Sequence, residues 1–166
     1  DLSAFRLMIE NPAVGHPTSV EVAFQGSKVF EHGGPFTDLY EKTAREAKRD
    51  PRLKESGPLL YFEFAANRWE LIPQTAFYNW LYLRALQQQP DLAQQLLEYS
   101  GFTDIEFNPQ KSINCQARSA ALYVALTRRG LLSAAIENPE SYLEILSGKE
   151  EPKPKQTRFP LINDEE

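Results

Sequence analysis

Strand-like segments in this chain are few and irregularly spaced among longer helical ones, and that spacing constrains the fold more than any other feature. "AFRLMIE" and "FTDIEF" (102–107) read as strands, and "LLYFEF" with "RWELI" reads as a β-hairpin turned by "AAN". Around them, "TSVEVAFQGSKVF" (18–30), "TDLYEKTAREAKRD" (37–50), "QTAFYNWLYLRALQQQ", "DLAQQLLEYS", "SINCQARSAALYVALTRRG" and "ESYLEIL" read as helices. "HGGP", Pro51, Pro90, Gly101 and Gly130 punctuate them. The order predicts an α+β fold: a single, mostly helical domain over 1–148 with a small antiparallel sheet. An α/β layer is the runner-up, disfavoured because its strands would alternate regularly with helices. With 166 residues, 42% of them hydrophobic, the chain can bury a sizeable core. "KEEPKPKQTRFPLINDEE" (149–166) reads as a charged, Pro-rich tail. The chain does not open with Met and reads as a piece of a longer protein.

A formal net charge of −5 gives no broad positive field, so any nucleic acid must be met through a local patch or a covalent modification. One cysteine, Cys115, and two distant histidines, His16 and His32, leave no Cys/His metal site and no internal disulfide. The expectation is no metal, no cofactor and a reducing, cytoplasmic setting. No run approaches the roughly 18 apolar residues of a membrane span.

Glu21, Gln25 and Lys28 fall at i, i+4 and i+7, on one helical face with Phe24. Either the stripe is solvated, with Thr18 and Glu21 forming a capping box, or it lines a pocket. Lys28 would lie about 10.5 Å along the axis from Glu21, so the two meet only if both side chains bend inward. On a strand, Asp104 and Glu106 would share a face about 6.5–7 Å apart. That suits carboxylates flanking a glycosidic bond, or equally a charged sheet edge. Gly33 and Gly34 precede an expected helix start at Thr37 and could cradle a phosphate, or merely punctuate the chain. Trp69 could stack on a base or sugar or belong to the core, whereas Trp80, at helical spacing, reads as core. Asn114, Gln116 and Arg118 open a helix and suit an anion or a well-capped terminus. Cys115 has no nearby histidine and reads as a packing residue.

The succession "LSAF", "PTSVEVAFQGSKVF", "RWELIPQTAFYNW", "LQQQPDLAQQLLEYSGFTDIEF" and "NPQKSINCQARSAALYVAL" resembles the NADAR family, in the branch encoded beside DarT toxins. The resemblance spans most of residues 2–131. It matches the family's "TSEH…Q..K" helix at Glu21, Gln25 and Lys28, its tryptophan at Trp69, and its aspartate at Asp104. Where broader members carry "WG.G" and "N.LG..LM", this chain has "FNPQKSINCQARSAAL". The resemblance implies hydrolysis of an N-glycosidic bond. In the DarT-associated branch, ADP-ribose is removed from guanine in DNA. Other members act on a riboflavin-pathway intermediate.

The resemblance makes Lys28, Glu21 and Asp104 the expected catalytic residues. Trp69, Gln25, Gly33, Gly34, Asn114 and Arg118 are expected to bind substrate. The expected partners are ADP-ribosylated DNA, ADP-ribose and the cognate DarT toxin. Two alternatives stay open: a riboflavin-type N-glycosidase, and a non-catalytic module that binds ADP-ribose or the toxin. A lysine Schiff base is the preferred chemistry, with direct water attack as its rival. The former needs a sheltered amine, because an ordinary lysine near pKa 10.4 is neutral in only about one molecule in 2,500 at pH 7.

Overall fold

A computed structural model describes residues 2–104 and 114–148. The organising element is α4 (Ala76–Gln87), in which every residue from Ala76 to Leu83, together with Ala85 and Leu86, is buried. A helix apolar on all sides must be covered on all sides. Here α1 (Val20–Gly26), α5 (Pro90–Leu97), α6 (Gln116–Arg128) and β1 (Met8–Asn11) all pack against it. α8 (Pro139–Ser147) begins at Asn138, whose side chain accepts from the Ser141 amide, and closes on Gly148 at φ +68°.

There are two small antiparallel sheets among the described residues. β1 pairs with β2 (His16–Ser19), Ile9 opposite Thr18. In the other sheet β4 (Leu59–Phe64) is central, flanked by β3 (Lys28–Phe30) and β5 (Asn67–Trp69). The β4–β5 hairpin turns through Ala65 and Ala66 at φ 50° and 61°, the paired positive values that match strand twist. The architecture is α+β, as the sequence predicts.

Segment 18–30 is not one helix. Thr18 and Ser19, expected to open the helix, instead belong with His16 and Pro17 to β2, and the N-cap falls at Ser19, whose hydroxyl accepts from the Val22 amide at 3.3 Å. The helix stops at Gly26, where Ser27 caps it by donating from Oγ to the Ala23 carbonyl at 2.6 Å, and the Tyr40 ring fills the space that a side chain at position 26 would need. The chain then enters β3, with Lys28 opposite Phe62. Segment 37–50 also divides, into a 3-10 helix (Thr37–Glu41) and α2 (Ala44–Arg49), because Thr43 and Glu46 form a reciprocal capping box. α3 (Arg52–Glu55) and α7 (Leu132–Ala135) are single turns. Of the expected strand 102–107, residues 102–104 are not in a strand, and 105–107, with Glu106, lie outside the described residues. So does the tail at 149–166.

Candidate active site

Glu21 and Gln25 are buried, one helical turn apart on α1, and Lys28 follows at the start of β3. The turn at Gly26–Ser27 folds the lysine back over the helix end, so the stripe survives the loss of helical geometry. Lys28 Nζ donates to Gln25 Oε1 at 2.7 Å, and Gln25 Nε2 donates to Glu21 Oε1 at 2.9 Å. The Gln25 amide orientation follows from its partners, since an ammonium can only donate and a carboxylate only accept. Glu21 Oε1 also lies 3.5 Å from Lys48 Nζ on α2. The result is a relay Lys48–Glu21–Gln25–Lys28. Glu21 does not form the capping box with Thr18, because its side chain turns inward.

Lys28 is half-buried and its Nζ sits 4.9 Å from the centre of the Phe24 ring. Phe24 is held by Phe62, Phe77 and, edge-on, Tyr78. Burial holds the Lys28 amine below its ordinary pKa. The Glu21 charge opposes that shift, and Lys48 adds to it. Desolvation wins because the amine's hydrogen-bond partner is a neutral amide, with the carboxylate one residue removed.

Asp104 Oδ2 accepts from the Gln116 amide at 3.2 Å, at the first turn of α6. Its charge and that of Glu21 both act on Tyr78, whose phenol is pushed up mainly by burial and stays neutral. Tyr78 is thus common to both carboxylates. Asn114 is half-buried just before α6.

The sequence model of the family described as DarT1-associated NADAR antitoxin matches residues 1–156. The chain belongs to that family. Among curated proteins, no sequence matches this chain. No described helix is long and apolar enough to cross a membrane, and no described group of His, Cys, Asp or Glu could hold a metal ion.

In this NADAR chain several expected binding residues are placed elsewhere. Trp69 is 2% exposed and enclosed by Phe77, Trp80 and Tyr142, at ring-centre distances of 5.7, 5.0 and 5.8 Å. It stands behind Phe77, which itself lies against Phe24, so no ring face is open to a base or sugar. Trp69→Phe is expected to cost about 1–2 kcal/mol, a fraction of the roughly 3–5 kcal/mol for truncating a buried aromatic to alanine. ADP-ribose affinity should stay unchanged. Urea unfolding and calorimetric titration check the pair of outcomes.

Arg118 is exposed on α6, and the group its charge reaches is Tyr142. Among the described residues no contact joins it to Glu21, Gln25 or Lys28. Gly33 is tied to β3, its carbonyl accepting from the Phe30 amide at 2.7 Å, and Gly34 packs on the Lys28 backbone. No α-helix starts at Thr37 to present amides to a phosphate; the glycines fold the loop onto the strand that carries Lys28.

Sequence reasoning missed Lys48 and Tyr78. Lys48 arrives from a separate helix and carries no local signal. Tyr78 repeats at Tyr82, one turn on, but in a run so apolar that it reads as core.

Proposed function

We propose that this NADAR antitoxin is an N-glycosidic hydrolase that removes ADP-ribose from guanine in DNA, reversing the modification made by its DarT1 toxin. The observation that carries the reading is the Lys28 amine. It is half-buried, held to a neutral amide 2.7 Å away, and depressed in pKa despite a carboxylate nearby. A solvated structural lysine has no reason to be held this way. A nucleophilic lysine does.

For an adduct through guanine's exocyclic amine, the sugar is a glycosylamine. Its ring opens when the ring oxygen takes a proton and the anomeric carbon becomes a protonated imine to guanine, the nitrogen keeping its own hydrogen. The Lys28 nitrogen adds to that carbon, its proton passes to the guanine nitrogen, and guanine leaves with its amine restored. The resulting lysine iminium takes up water and collapses to the open aldehyde of ADP-ribose, freeing Lys28. The sum is adduct plus water giving guanine plus ADP-ribose. Glu21, on the far side of Gln25, is the group to accept the Lys28 proton directly once bound substrate draws the two side chains together, and to return one for ring opening. Asp104 activates the hydrolytic water or protonates the leaving group. The test is incubation with a guanine-ADP-ribosylated oligonucleotide, with and without borohydride. Restored guanine and a reduced protein–ADP-ribose adduct support the reading, and no loss of the modification overturns it.

Burial of Lys28 also sets a pH dependence of stability. The depressed folded pKa means that, between it and about 10.5, the unfolded chain binds more protons than the folded one. Stability therefore rises with pH across that window and is flat below it with respect to this group. Lys28→Met removes the slope. The variant is expected to be more stable than the parent at pH 7 by about 0.5–2 kcal/mol, with the gap closing as pH approaches 10.5. Chemical unfolding of both proteins from pH 7 to 10.5 checks the sign.

A further inference from the structure

Arg45, Lys48 and Arg49 fall at i, i+3 and i+4 on α2, so three cations share one exposed helical face. Like charges at that spacing destabilise a helix, and of the three only Lys48 forms an ion pair with a described residue, Glu21 on α1 at 3.5 Å. Lys42 extends the face. A cleft of about 370 Å³ opens there, lined by Lys42, Arg45, Glu46, Arg49, Asp50 and Pro51. Both acids in it are already engaged. Glu46 turns back to the Thr43 hydroxyl and amide at 2.7 and 2.9 Å, and Asp50 holds Arg52 at 2.8 Å. Arg45 and Arg49 make no ion pair with any described residue. The lining sets three cations, Lys42, Arg45 and Arg49, against two carboxylates, of which Asp50 is already paired with Arg52 from outside it, so the cleft is locally net cationic on a chain of net charge −5.

The same helix face runs to the relay. Lys48 reaches Glu21 at 3.5 Å, and its Nζ lies 5.1 Å from the centre of the Phe5 ring, which is 39% exposed. Cations leading along one face to an exposed aromatic beside a buried carboxylate form the pattern of a strand-binding track.

We propose that the α2 face, through Lys42, Arg45 and Arg49, binds phosphodiesters of the DNA strand that carries the adduct, with Phe5 stacking on a flanking base. The identity of that strand as substrate rests on the reading given above. The face supplies locally the contact that the overall charge denies, and it holds the strand where Lys48 meets Glu21.

The test uses the full chain and an unmodified single-stranded oligonucleotide, so that its outcome does not depend on hydrolysis. Arg45→Ala/Arg49→Ala leaves Lys48 and the relay intact. Loss of two phosphate contacts should reduce the slope of log affinity against log salt by about 1.4 and weaken binding roughly twentyfold at 0.1 M salt. Phe5→Ala should weaken binding with little change in slope. ADP-ribose affinity, measured on the same double variant, should not move. An unchanged salt slope, or no oligonucleotide binding by the parent protein at low salt, overturns the proposal. So does a double variant that loses ADP-ribose affinity instead, which would make the face a pyrophosphate subsite. A double variant that keeps oligonucleotide binding but loses complex formation with purified DarT1 toxin would make it a protein-docking face, and overturns the proposal equally. If the track binds DNA as stated but no guanine is restored from the modified strand, the hydrolase reading fails and the track remains.

Discussion

Lys28→Arg is expected to lower turnover of ADP-ribosylated guanine by about a thousandfold or more, close to 4 kcal/mol of barrier, while leaving the fold intact. The substitution separates the two roles a buried lysine can have. Arginine still donates to Gln25 Oε1 and still carries a positive charge beside the Phe24 ring, so a phosphate-holding or purely electrostatic function would persist. What arginine cannot do is present a lone pair, because its guanidinium stays protonated at any working pH. Borohydride adds a second readout that turnover alone lacks, since hydride converts a C=N bond to a stable amine linkage on Lys28. Substantial activity in the arginine variant, together with no trapped adduct in the parent, would assign the chemistry to direct water attack. In that case Glu21 and Asp104 would be the groups to examine next.

That expectation was legible in the sequence only in part, and partly for the wrong reason. The spacing of Glu21, Gln25 and Lys28 does place them together, but as a helix and a strand meeting at a turn, not as one helical stripe. Helical periodicity continues through Gly26 and Ser27 in the letters alone. What ends the helix is the pairing of Lys28 with Phe62, a contact made by a residue far along the chain. Local pattern carries the opposite weight at α4, where an unbroken apolar run states its own burial. Trp69 shows the limit from the other side. A tryptophan in a hairpin is stacking platform or core according to what lies over both its faces, and those neighbours come from α4 and α8. Lys48 was invisible for the same reason, since only the packing of α2 on α1 brings it to Glu21.

Gly34→Ala is expected to destabilise the protein by about 2–4 kcal/mol and to lower activity with it. Gly34 has φ +94°, a conformation costly for any L side chain, and a Cβ there would be driven into the carbonyl oxygen of Lys28 and to 3.2 Å from Val29 Cα. Both are backbone atoms of β3, so neither can rotate away. Relief requires the loop to lift or the strand to move, and the strand positions the Lys28 amine. Gly15→Ala provides the matched comparison. It has φ +72° and nothing within 4 Å, so it should show the conformational cost alone, about 1–2 kcal/mol. The excess in Gly34→Ala over Gly15→Ala, measured by urea unfolding, then isolates the close approach to Lys28. A loss of turnover in folded Gly34→Ala, absent from Gly15→Ala, would tie that approach to the placement of the amine. Equal effects in the two variants would mean that the loop yields without disturbing β3, and the glycine's place against the lysine backbone would then have no bearing on the site.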